Sequence, residues 1–140
     1  MANTLGIIKP DAVRRKLVGK VIERIERDDL ILRGAKVVHL TRERAEQFYS
    51  VHQDKPFYRS LVDFMTSGPV VALVIGGHNA IDRWRTLMGN TDPAKAKYHT
   101  IRREYGTSIE KNVVHGSDSP QTAMSEVAFF FSDEEILPKD

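Results

Sequence analysis

Val70-Val71-Ala72-Leu73-Val74-Ile75, closed by Gly76-Gly77, is the longest apolar run in the chain. It is too short for a comfortable helix and rich in β-branched residues, so it reads as a central strand buried on both faces. Upstream, Tyr58, Leu61, Val62 and Met65 repeat at helical spacing and stop at Gly68-Pro69, and Ala45, Phe48 and Tyr49 suggest a shorter helix before them. Further back, Leu30 to Leu40 reads as a strand. Leu17, Val21 and Ile25, with Val18 and Ile22 beside them, form a helix face. Leu5-Gly6-Ile7-Ile8 is a first strand, stopped by Pro10. Downstream, Ala80, Ile81, Trp84, Leu87 and Met88 supply another helix face. Residues 89 to 112 have little apolar periodicity except around Ile101 and Tyr105, and read as a long, functional loop. Val113-Val114 is a brief strand. A last helix starts at Ser119 as N-cap and Pro120 at N1, with Met124, Val127, Ala128 and Phe131 as its apolar face.

This order predicts an α+β domain: a ferredoxin-like βαββαβ unit whose four-stranded antiparallel sheet carries its helices on one face. With 140 residues and no linker, repeat or low-complexity stretch, a single domain over 1–140 is expected. Lys plus Arg number 21 and Asp plus Glu 19, so a net charge of +2 advertises neither a nucleic-acid partner nor an acidic one. The absence of Cys removes disulfides, thiolate zinc sites, iron–sulfur clusters and cysteine nucleophiles together. No apolar run approaches the roughly 20 residues of a membrane span, and the N-terminus lacks a signal-peptide pattern. A soluble, cytosolic protein without a membrane partner is the expectation.

Neither a Gly-x-x-x-x-Gly-Lys-Ser/Thr loop nor a Gly-x-Gly-x-x-Gly turn occurs, so phosphate binding would need side chains. The five histidines show no metal-ligand spacing. Asn112-Val113-Val114-His115-Gly116-Ser117-Asp118-Ser119 places His115 at a strand end beside a helix start, where imidazole can serve as nucleophile, general base or metal ligand, or merely satisfy a loop. Lys9-Pro10-Asp11 puts a cation at a strand end and reads in isolation as turn chemistry. Arg85, Thr91, Asp92, Arg102 and Arg103 surround the long loop, and guanidinium groups suit a phosphate chain as well as solvent. Phe57 beside Pro56 is either a stacking platform or core.

Together these segments resemble nucleoside diphosphate kinase of the bacterial type, along essentially the whole chain. The most specific match is Asn112 to Ser119, which resembles the family's segment around its phosphorylated His. Phe64-Met65-Thr66-Ser67-Gly68-Pro69-Val70 and Leu87-Met88-Gly89-Asn90-Thr91-Asp92-Pro93 match in the same order. The resemblance implies that His115 takes the γ-phosphate of a nucleoside triphosphate and passes it to a nucleoside diphosphate in a ping-pong reaction that maintains NTP and dNTP pools. It implies that Glu126 orients the imidazole with help from Tyr49, and that Ser117 lies close to the phosphorylated nitrogen. Lys9, Arg85 and Arg102 would contact phosphates, Thr91 would add a hydroxyl, and Asn112 would reach the ribose and phosphate region. Phe57 would stack on the base. Magnesium would arrive with the nucleotide and have no direct protein ligand, with Asp118 acting through water.

Family members assemble as tetramers or hexamers, so a homo-oligomer is expected, with no obligatory nucleic acid. One departure stands out. Tyr98-His99 replaces the Pro-Gly that often precedes Thr-Ile-Arg, here Thr100-Ile101-Arg102, which bears on loop shape and assembly rather than on catalysis. Two rival readings make different predictions. A single-stranded nucleic-acid module would bind oligonucleotides with steep salt dependence and carry no phosphohistidine, whereas a nucleotide hydrolase would release the phosphate to water.

Overall fold

The computed structural model describes residues 2–139. Strand β1 (Ala2–Ile8) leads into the short helix α1 (Pro10–Arg14), and α2 (Val18–Arg27) returns the chain to β2 (Ile31–Val38). Helices α3 (Arg42–Phe48) and α4 (Tyr58–Met65) precede β3 (Val70–Gly77), which is followed by α5 (Ala80–Met88), α6 (Ile101–Tyr105), β4 (Val114–Gly116) and α7 (Pro120–Phe130). The strands lie in the order β2-β3-β1-β4 and every neighbouring pair is antiparallel. β1 and β2 are therefore parallel to each other with β3 inserted between them, the split βαβ arrangement of a ferredoxin-like α+β fold.

All eight positions of β3 are buried. Val71, Leu73 and Ile75 point to the side covered by α2 and α5, where they meet Val21, Ile25 and Trp84. Val70, Ala72 and Val74 point to the other side, against Ala45 of α3, Val62 and Met65 of α4, and Val127 and Phe130 of α7. Both faces of the sheet are thus covered, which corrects the expectation of helices on one face. The reason lies in β3 itself, since a strand apolar at every position needs a partner on each side. Truncating Leu73 to Ala would cost about 2–5 kcal/mol.

Three further differences follow from local chemistry. Pro10 both ends β1 and opens α1 at its N1 position, where a missing N–H costs nothing. The stretch 89–112 is not one long loop. Asp92 caps a single turn at Pro93–Lys95, and Thr100 caps α6, whose inner side is formed by the same Ile101 and Tyr105 that carried the weak periodicity. In α7 the buried face is Ala123, Val127 and Phe130, while Met124 is 77% exposed. Ala128 is likewise exposed, and Phe131 lies just beyond the helix in extended backbone. Among the described residues no helix is long and apolar enough to cross a membrane.

Candidate active site

β4 is a three-residue edge strand paired with β1, with Gly6 opposite Gly116 and Ile7 opposite His115. Strand alternation sends the two neighbours to opposite faces. Gly116 faces α5, and a Cβ built there would lie 2.6 Å from Met88 Cε and 2.8 Å from both Cδ1 and Nε1 of Trp84. Glycine is required so that the indole can reach the strand, where Trp84 Nε1 donates to the His115 carbonyl at 3.2 Å. The backbone of His115 is anchored from one side while its imidazole faces α3 and α7 on the other.

There His115 Nε2 stands 3.0 Å from Glu126 Oε1, and Ser117 Oγ donates to the same oxygen at 2.7 Å. A carboxylate only accepts, so in the neutral imidazole Nε2 carries the proton and Nδ1 keeps its lone pair. Glu126 is presented by α7, whose start is fixed by Ser119 and Thr122 in reciprocal capping bonds with Pro120 at N1. Burial pushes the Glu126 carboxyl up. The hydrogen bond and charge of His115, with the bond from Ser117, more than offset it and hold the group below the usual carboxylate range. Phe48 packs edge-on against the imidazole with ring centroids 5.6 Å apart.

Lys9, Thr91, Arg102 and Asn112 form a second, polar cluster. Lys9 Nζ donates to Asn112 Oδ1 at 2.8 Å, and Asn112 Nδ2 donates to the Thr91 carbonyl at 2.9 Å. Arg102 donates to the carbonyls of Asn112, Gly89 and Val114 at 3.3, 3.0 and 2.7 Å. That uses three of its five N–H groups and ties α6 to the segment leading into β4. Burial, with the neighbouring Arg102 charge, lowers Lys9 to about 8, while Asp11 and Glu110 oppose the shift. Burial and Arg85 lower Arg102 to about 10. Cations held this way are short of counter-charge, which is the electrostatic condition for receiving a polyanion.

The imidazole and this cation cluster share one cleft of about 580 Å³. Arg85, Asp118 and Thr91 lie on its wall, and Phe57 stands at its rim, 48% exposed, with its ring 5.5 Å from that of His52. Of the residues singled out from the sequence, His115, Glu126, Lys9, Asn112, Arg85, Thr91, Arg102, Asp118 and Phe57 converge here, whereas Asp92 and Arg103 bond within the 92–103 segment and Asp11 does not line the cleft. Tyr49 reaches the wall, but its buried hydroxyl has no hydrogen-bond partner, so it does not bond to the imidazole or to Glu126. Burial raises that phenol further from ionisation. Ser117 is off the cleft wall, buried behind Glu126, and bonds the carboxylate rather than the ring. Sequence reading missed Phe48, His52 and Glu110, which also line the cleft. The adjacency of Phe48 to Tyr49 was the available signal for the first, and nothing local marks the other two.

The family model for nucleoside diphosphate kinase matches residues 2–136. The nucleoside diphosphate kinase of Wolinella succinogenes is 55% identical over 136 residues, covering 97% of this chain and 99% of that one. The enzyme of Desulfosudis oleivorans is 51% identical over 137 residues, covering 98% and 99%. Among solved structures, the Aquifex aeolicus nucleoside diphosphate kinase superposes with a TM-score of 0.95 at 42% identity, covering 97% of this chain and 99% of that one. A halophilic nucleoside diphosphate kinase from Halobacterium salinarum, solved in complex with CDP, gives 0.95 at 41% identity, covering 99% and 92%. The chain belongs to the nucleoside diphosphate kinase family, enzymes that are phosphotransferases acting on nucleotides.

Proposed function

We propose that this protein transfers the γ-phosphate of a nucleoside triphosphate to a nucleoside diphosphate by a ping-pong reaction through phosphorylated His115. The observation that carries the reading is the hydrogen bond from His115 Nε2 to Glu126, which leaves Nδ1 as the nucleophilic nitrogen in a cleft with the buried cations. Nδ1 attacks the γ-phosphorus, the bond to the β–γ bridging oxygen breaks, and the diphosphate leaves. An acceptor's terminal phosphate oxygen then attacks the phosphohistidine and restores the imidazole. The same kind of bond is broken and made overall, so the exchange is close to isoenergetic and suits the maintenance of NTP and dNTP pools in the cytosol.

Charge in phosphoryl transfer spreads over the equatorial oxygens, so positioned cations supply most of the stabilisation. Lys9, Arg85 and Arg102 take that role, Thr91 and Asn112 hold the phosphate and ribose region, and Glu126 keeps the imidazole in its tautomer with Ser117 bracing the carboxylate. Tyr49 contributes a wall rather than a hydrogen bond. Phe57 stacks on the base, and because every base has a π-face the enzyme accepts many nucleotides. Among the described residues no group of three or more His, Asp or Glu converges as a metal cage. Magnesium would arrive with the nucleotide and neutralise part of its phosphate charge, and Asp118 on the cleft wall would be the residue to hold it through water.

Self-association into a homo-oligomer belongs to the same reading. It is supported by Val37, 72% exposed, and Ile31 on the open edge strand β2. The deciding test is two-stage: incubate the protein with γ-labelled ATP and magnesium, remove nucleotide, then add GDP. Label that stays on the protein, resists alkali, is lost in acid and moves to GTP supports the mechanism. Free phosphate without retained label would indicate hydrolysis instead, and tight oligonucleotide binding with no label would favour a binding module.

A further inference from the structure

We propose that Asp11 is a positioning residue for His115: its buried carboxylate holds a strained backbone turn at Val113 that sets where β4 begins. The inference rests on the phosphohistidine reading above. Val113 has φ +78, and the Val114 N–H donates to the Asn112 carbonyl at 2.9 Å. A hydrogen bond from i+2 to i around a positive φ is the rare, strained form of the γ-turn. The other non-glycine residues with positive φ, Lys16, Asp29, Asn79 and His99, are exposed and carry polar side chains, whereas Val113 is buried and β-branched. β-branched residues resist this region most, and such a conformation persists only where its surroundings over-determine it.

Those surroundings can be named. Lys9 N–H donates to the Val113 carbonyl at 2.8 Å, and Arg102 holds the carbonyls of Asn112 and Val114 on either side. The Val113 N–H, which the turn leaves without an internal acceptor, donates to Asp11 Oδ2 at 3.2 Å. Asp11 comes from the first turn of α1 and is 6% exposed, so the bond lies out of water. His115 is two residues downstream, on a strand only three residues long. So short a strand has few ladder bonds of its own to correct a shifted start, and the turn decides the placement of the imidazole. Asp11 does not line the cleft and reaches the imidazole only through the backbone, while its charge also supports the Lys9 cation, which is why the test below keeps Lys9 protonated.

The test measures single-turnover phosphorylation by γ-labelled ATP at saturating nucleotide and at about pH 6, where Lys9, near 8, stays protonated. Nucleotide affinity and thermal unfolding are measured alongside. Asp11→Ala should slow transfer per folded molecule on the order of 10- to 100-fold, as small misplacements do, with nucleotide affinity changed far less. Asp11→Asn keeps an acceptor and should recover most of the rate. In a Val113→Gly background, where positive φ carries no steric cost, adding Asp11→Ala should change the rate only a few-fold. This last comparison decides the matter even if Asp11→Ala alone does not fold. The proposal fails if Asp11→Ala transfers at the unmodified rate, if Asp11→Asn is as slow as Asp11→Ala, or if Val113→Gly does not blunt the effect. Absence of any label on the unsubstituted protein would instead overturn the enzymatic reading beneath it.

Discussion

Glu126 Oε1 lies 3.0 Å from His115 Nε2, and the carboxylate that makes this contact stays ionised because the imidazole and Ser117 outweigh its burial. Only one tautomer of a neutral imidazole satisfies that pairing. Glu126→Ala should therefore slow phosphorylation of His115 by up to about 100-fold through loss of orientation, while nucleotide KM changes little. Stopped-flow phosphorylation with ATP measures both. An unchanged rate would show that the pair is structural only.

A phosphate-binding Lys9 would give the reaction a pH dependence with a definite sign. Burial and Arg102 pull its pKa down from 10.5 to about 8, against Asp11 and Glu110, so the ammonium is present below that value and lost above it. If the charge binds phosphate, kcat/KM falls as pH rises through about 8, and the limb in kcat moves to higher pH because bound polyphosphate favours the cation. Lys9→Arg should lower the rate yet abolish the limb, since guanidinium stays charged. A limb that persists unchanged in Lys9→Arg would assign it to another group.

Much of this was legible before any coordinates. The all-apolar run of β3 announced the sheet centre, and Ser119-Pro120 announced the start of the helix that presents Glu126. What stayed hidden was contact across long separations. Asp11 reads as turn chemistry beside Pro10, and only the fold brings it to Val113. Likewise the apolar residues of α7 allow more than one face. Its rotation is settled by tertiary packing of Ala123, Val127 and Phe130, which leaves Met124 outside. That the buried Tyr49 hydroxyl goes without a hydrogen-bond partner is equally invisible to spacing, because a hydroxyl's partner depends on side-chain reach rather than on sequence distance.

Gly116→Ala tests how tightly the strand that carries His115 is packed. The added methyl would stand 2.6 Å from Met88 Cε and 2.8 Å from Trp84 Nε1, closer than real contacts allow. Over-packing of this kind costs about 1–3 kcal/mol, and it should also weaken the Trp84 bond to the His115 carbonyl. Urea unfolding should show the loss of stability, and phosphorylation of the folded fraction should slow as well. Full stability in Gly116→Ala would mean that Trp84 and Met88 move aside freely.

Phe57→Ala addresses the base rather than the phosphate. The ring sits at the cleft rim, half exposed and braced by His52. Stacking of one base on an aromatic side chain is worth about 1–3 kcal/mol, and a ring this exposed should deliver the lower part of that range. KM for nucleoside diphosphates should rise roughly 5- to 10-fold, corresponding to about 1 kcal/mol, and by similar factors for purines and pyrimidines, because the lost contact is to a π-face. Phosphorylation of His115 at saturating nucleotide should be far less affected, since no charge on the transferring group is touched. Steady-state kinetics with ADP, GDP and CDP as acceptors separate these quantities, and an unchanged KM would remove Phe57 from the base site.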